Sequence, residues 1–72
     1  LGKDERKIIQ ELIDSKGEMH QSEIVEETGI DKVKVSRKLT NLENKKIISK
    51  ENSGMSNLIR LEDPYRDLYI SS

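Results

Sequence analysis

Seventy-two residues with no cysteine, one histidine and nearly balanced charge (13 Lys/Arg against 14 Asp/Glu, net −1) describe one domain near the lower size limit for a single hydrophobic core. They exclude disulfides, thiolate metal sites and any metal cluster or catalytic triad that needs partners for the lone His20. No apolar run of about 18 residues and no signal-peptide core is present, so the expectation is no membrane contact by this domain and a cytoplasmic setting.

Taken in chain order, Asp4 is placed to cap a first helix, with Glu5 in its first turn where a carboxylate suits the helix dipole. Ile8, Ile9, Leu12 and Ile13 recur at helical spacing and form one apolar face, and Ser15-Lys16-Gly17 reads as the C-terminal turn, ended by Gly17. Glu18-Met19-His20 is long enough only for a strand fragment, with Met19 turned inward. Gln21 to Thr28 reads as a second helix burying Ile24 and Val25. Gly29 supplies a left-handed stop, and Ile30 fills the corner that follows.

Asp31 caps a third helix reaching Asn44 or Lys45. Val35, Leu39 and Leu42 fall at i, i+4 and i+7 as its buried stripe. At 100° per residue, Val33, Arg37, Thr40 and Asn44 lie on the opposite side, flanked by Lys34, Ser36 and Asn41. Ile47 to Glu51 reads as a strand, Asn52-Ser53-Gly54 as a turn, and Ser56 to Leu61 as the returning strand. Ile59 and Leu61 share one face of that strand, and Arg60 takes the other. Asp63-Pro64 closes the compact part, and Tyr65 to Ile70 reads as a short terminal helix or a frayed tail. Tyr65 and Tyr69 either pack back on the first helix or begin a dimerisation helix.

The charge is segregated along this pattern. Residues 1–31 sum to −5, residues 32–50 to +6 and residues 51–72 to −2. The cations of the middle segment are Lys32, Lys34, Arg37, Lys38, Lys45, Lys46 and Lys50, against Glu43 alone. A global charge near zero therefore says little about this chain's partners. A short helix, a tight turn, a helix with a basic outer face and then a hairpin form a helix-turn-helix with a wing. The expected fold is α+β, a winged helix of three helices with a two- to three-stranded antiparallel wing over residues 1–63. Residues 64–72 are a tail or the start of a further helix.

With these residues placed, the chain resembles winged helix-turn-helix transcription regulators of the MarR type and their archaeal relatives. The likeness covers roughly residues 4–62. It is carried by Ser22-Glu23-Ile24-Val25-Glu26, Gly29-Ile30-Asp31, Val35-Ser36-Arg37-Lys38-Leu39, Leu42-Glu43 and Ile47-Ile48. The resemblance implies that Ser36 and Arg37 belong to the groove-entering helix and that Lys32 and Lys34 approach phosphates or base edges. Two positions depart from the family pattern. Lys46 stands where a Gly is common, and Met55 stands where a basic wing tip is common. The long dimerisation helices of full-length regulators are missing or truncated, so a homodimer would form through segments outside this chain.

The candidate DNA-binding residues are Lys32, Val33, Lys34, Ser36, Arg37, Lys38, Thr40 and Asn41, with Lys50 and Arg60 contributing from the strands. Arg37 is the best placed to read a base, because a guanidinium pairs bidentately with guanine. Val33 is either a stray surface aliphatic or a contact for a thymine methyl. Met55 is either incidental or a hydrophobic wing tip. His20 reads as a polar junction residue, and Asp4-Glu5 and Glu26-Glu27 as solvated surface pairs. The function expected is sequence-specific binding of double-stranded DNA, as the DNA-binding domain of a transcription regulator, without cofactor. The rival is a protein–protein winged helix appended to a larger assembly, favoured by net acidity and the neutral wing tip. No enzyme is expected, since the sequence has no Gly-rich phosphate loop, no nucleophile paired with a base and no metal-ligand spacing.

Overall fold

Ile8 and Leu12, one turn apart on helix α1 (Lys3–Asp14), are fully buried in the computed structural model, which describes residues 2–63. The apolar face read from their spacing is thus the face that enters the core, with Ile9 and Ile13 packed at its margin. The helix starts earlier than expected. Its N-cap is Gly2 in an extended conformation, not Asp4, which lies within the first turn. The reason lies in Glu5. Its carboxylate reaches back to accept the Gly2 N–H at 3.4 Å, the half of a capping box that needs no side chain at the N-cap. The other Glu5 oxygen lies 3.6 Å from Lys45 Nζ, which ties the start of α1 to the end of α3. Glu5 is itself buried.

Strand β1 (Glu18–His20), helix α2 (Gln21–Thr28), helix α3 (Lys32–Asn44) and strands β2 (Ile48–Ser53) and β3 (Ser56–Leu61) follow. The strands form one antiparallel sheet in the order β1-β3-β2, so the fragment at Glu18–His20 is a true third strand. Met19 pairs with Ile59 and Ile48 with Leu61, and all four side chains are buried. Together with Ile8, Leu12, Ile24, Val35, Leu39, Leu42 and Ile47 they complete a core built from aliphatic side chains and one methionine. The order α-β-α-α-β-β, with a hairpin after the third helix, is the α+β arrangement of a winged helix.

The ends of α1 and α3 share one device. In α1, Lys16 takes φ 62°, its N–H donates to Ile13 O at 3.1 Å and the Gly17 N–H to Leu12 O at 2.6 Å. In α3, Lys46 takes φ 60°, its N–H donates to Glu43 O at 3.0 Å and the Ile47 N–H to Leu42 O at 3.0 Å. Both are Schellman turns whose left-handed position is held by lysine rather than glycine. Gly17, itself at φ 94°, closes the turn expected over Ser15-Lys16-Gly17. It is buried, and its carbonyl accepts the Leu61 N–H at 2.8 Å, which is where the helical layer joins the sheet.

The turn after α3 also moves the strand boundary. Ile47 remains in the turn and its carbonyl accepts the Glu62 N–H at 2.8 Å, so β2 begins at Ile48. At its other end β2 continues to Ser53, opposite Ser56, leaving Gly54 and Met55 as a two-residue turn. Gly54, at φ 65°, occupies the positive-φ position that such a hairpin requires. Pro64, Tyr65, Tyr69 and the terminal helix or tail expected over Tyr65 to Ile70 lie outside the described residues.

Two stability outcomes follow. Leu39 is fully buried at the centre of the α3 stripe, so Leu39→Ala is expected to destabilise by roughly 2–5 kcal/mol in a urea or thermal melt. A melt indistinguishable from wild type would mean that α3 is wrongly phased. Lys46→Gly is expected to stabilise by about 0.5–1 kcal/mol, because relief of left-handed strain exceeds the added entropy of the unfolded chain. A lower melting temperature for Lys46→Gly would contradict a strained turn.

Candidate nucleic-acid interface

The turn from α2 to α3 is built from three local features. The Thr28 hydroxyl donates to Ile24 O at 2.6 Å and accepts the Ile30 N–H at 3.3 Å, binding the last turn of α2 to the chain beyond it. Gly29 adopts φ 70°, the left-handed stop expected of it. Asp31 then accepts the Val33 N–H at 3.0 Å and caps α3. The rotation of α3 is fixed by Val35, Leu39 and Leu42, all fully buried. Lys32, Val33, Lys34, Arg37, Thr40 and Asn41 are consequently exposed, whereas Ser36 and Lys38 sit half-buried at the two margins of the face. Thr40 spends its hydroxyl proton on Ser36 O at 3.0 Å, so toward a ligand it is chiefly an acceptor.

The ion pairs divide the cations into two groups. Among the described residues, Lys45 pairs with Glu5 at 3.6 Å, and Arg60 pairs with Glu18 at 2.8 Å and Glu51 at 3.5 Å. Lys32, Lys34, Arg37 and Lys38 take part in none of these pairs. The basic face of α3 is therefore not neutralised by carboxylates among the described residues.

The strand contributions separate. Lys50 pairs with Ile59 and lies on the face of β2 that also carries buried Ile48, where it is half-buried. Arg60 opposes Glu18 and Ser49 on the reverse face of the sheet. Arg60 thus takes the face opposite Ile59 and Leu61, as the alternation along β3 predicts, and two flanking glutamates engage its guanidinium there.

An open groove of about 480 Å³ was not foreseen from the sequence. It is lined by Gln21, Ser22 and Val25 of α2, Lys32 of α3, and Met55, Ser56 and Asn57 of the hairpin. A hydrogen bond from the Asn57 amide to Gln21 Oε1 at 3.2 Å holds the hairpin beside α2. Residues 36 positions apart in sequence meet there, and neither has a composition or spacing that announces the contact. His20 is the N-cap of α2, and its N–H donates to Glu23 Oε1 at 3.0 Å. Its Nδ1 is shielded from solvent and has no hydrogen-bond partner among the described residues. No group of three His, Asp or Glu among these residues is placed to hold a metal ion, and no helix is long and apolar enough to cross a membrane.

The chain belongs to the family described as Domain of unknown function (DUF7343), which matches residues 1–62. It is also similar to an uncharacterized protein of Methanocaldococcus jannaschii, with 45% identity over 65 residues, covering 90% of this chain and 14% of that protein. The chain thus spans about one seventh of the length of the curated relative it matches.

The division of cations has a direct readout in stability. Lys34→Ala and Arg37→Ala remove exposed groups without ion-pair partners among the described residues, and are expected to leave the melt within about 0.5 kcal/mol of wild type. Lys45→Ala strands the buried Glu5 carboxylate and is expected to cost about 1–3 kcal/mol. Equal melts for Lys34→Ala, Arg37→Ala and Lys45→Ala would contradict the division.

Proposed function

We propose that this member of the DUF7343 family binds double-stranded DNA by laying α3 in the major groove, as the DNA-binding domain of a transcription regulator of MarR-like type. The observation that carries the reading is the basic face of α3, whose Lys32, Lys34 and Arg37 are exposed and lack carboxylate partners among the described residues. The placement of the cations adds to it. Lys32 and Lys34 stand in the first turn of α3, which contains no acidic residue. Cations at a helix N-terminus oppose the macrodipole, so these two lower helix stability unless an anion faces them. DNA phosphates are such anions, and neutralising them releases counterions.

In this mechanism Lys32 and Lys34 dock on the phosphate backbone, and Arg37, one turn on, pairs with a guanine edge. Ser36 and Asn41 flank it. A domain this small presents too little surface for tight specific binding alone, so a second copy or a tether in the parent protein supplies the remainder.

The neutral wing tip and the capture of Arg60 by Glu18 and Glu51 favour a second reading, a protein–protein winged helix within a larger assembly. The two readings part under charge reversal. If α3 docks on phosphate, wild type binds generic duplex at about 50 mM salt and weakens steeply as salt rises. Lys34→Glu with Arg37→Glu abolishes that binding, while Glu26→Lys with Glu27→Lys on α2 leaves it unchanged or modestly stronger. Arg37→Ala is expected to cost about 1–3 kcal/mol and relax sequence preference, and Lys34→Ala to lower the salt slope by about one. A wild-type domain that fails to bind duplex at about 50 mM salt would establish the protein–protein reading instead.

A further inference from the structure

Building on α3 as the major-groove helix, we infer that the wing engages duplex DNA through an apolar tip. Met55 seats against the deoxyribose walls of the adjacent minor groove and adds contact without adding charge neutralisation. Met55 is fully exposed at the hairpin turn, the most accessible large hydrophobic side chain among the described residues. It is not on a loose loop. The strands are paired up to Ser53 and Ser56 on either side of it, Gly54 fixes the turn at φ 65°, and Asn57 is bonded to Gln21 of α2. Residues 52–57 carry no charged side chain, so this tip holds no cation for a phosphate.

The direction of the tip is given by the groove. Met55 lines it together with Lys32, the first residue of α3, and Val25 lies in its floor. The wing tip and the start of the basic helix therefore open onto one surface, and no carboxylate lines the space between them. A nucleic-acid strand in that space meets an ammonium for its phosphate and an apolar side chain for its sugars. Duplex DNA satisfies both, because minor-groove walls are sugar and accept apolar side chains.

The consequence is a separation of terms: α3 supplies the salt-dependent part of binding and Met55 a part that salt does not screen. The test is equilibrium binding of generic duplex across about 50–300 mM salt by wild type, Met55→Ala and Met55→Lys, with melts as a fold check. Because Met55 is exposed, all three proteins are expected to melt alike. Met55→Ala is expected to bind roughly three- to tenfold more weakly at every salt concentration, with the slope of log affinity against log salt unchanged. Met55→Lys is expected to steepen that slope by about one. Met55→Ala equal to wild type, or weakened with a changed slope, overturns the apolar tip. It leaves the α3 reading intact, provided Lys34→Glu with Arg37→Glu still abolishes binding. Absence of wild-type binding overturns both.

Discussion

The burial of one aliphatic stripe, Val35, Leu39 and Leu42, governs the rest of this molecule. These side chains are fully buried, and their removal from water sets the rotation of α3 about its own axis. Once that rotation is set, every other residue of the helix has its place: Lys34 and Arg37 outward, Lys38 and Ser36 at the margins. The core offers little redundancy to correct an error. Among the described residues it contains no aromatic ring. Branched aliphatics and one methionine must fill the space by shape alone, so a single truncation is felt by the whole domain.

Around that core, local preferences are obeyed in most places and set aside in a few. Asp31 caps α3, Gly29 stops α2, and Gly54 makes the hairpin turn. Three departures stand out. Lys16 and Lys46 adopt left-handed backbone, and the first turn of α3 carries cations where the helix dipole disfavours them. The first two are strain at helix ends, compensated by the carbonyls they satisfy and by Ile47, which enters the core directly after the α3 turn. The third is offset in part by the Asp31 carboxylate, which caps the same end of the helix.

The helices and hairpin were legible because each rests on a local signal. Period 3.6 located α1 and α3, a glycine closed α2, and alternation placed Ile59 and Leu61 inward. What escaped the reading depends on groups distant in sequence. Asp4 looked like a better cap than Gly2, because nothing local reveals that Glu5 reaches backward while also meeting Lys45, forty residues later. The lysines at positive φ were invisible for a related reason: their cost is local, while the burial of the residue that follows each is tertiary. The ion pairs of Arg60 were hidden likewise, since its sequence neighbours do not disclose Glu18 across the sheet. Conversely, the exposure of Lys32, Val33, Lys34, Arg37, Thr40 and Asn41 was legible, because a buried stripe at known spacing defines its own opposite side, while Ser36 and Lys38 fall at its margins.

The sheet order has a mechanical meaning. Strand β1 pairs only with Leu58, Ile59 and Arg60, so at its base the hairpin is the centre and one edge of a three-stranded sheet. Beyond Leu58 that support ends, and residues 52–57 continue as a two-stranded ribbon tethered laterally, among the described residues, by the Asn57–Gln21 hydrogen bond. Two-stranded ribbons twist more readily than wider sheets. The hairpin is thus a cantilever, clamped where it contributes Ile59 and Leu61 to the core and compliant where it carries Met55. Its free end can follow a surface of varying width while the clamped end, and with it the orientation of α3, stays still.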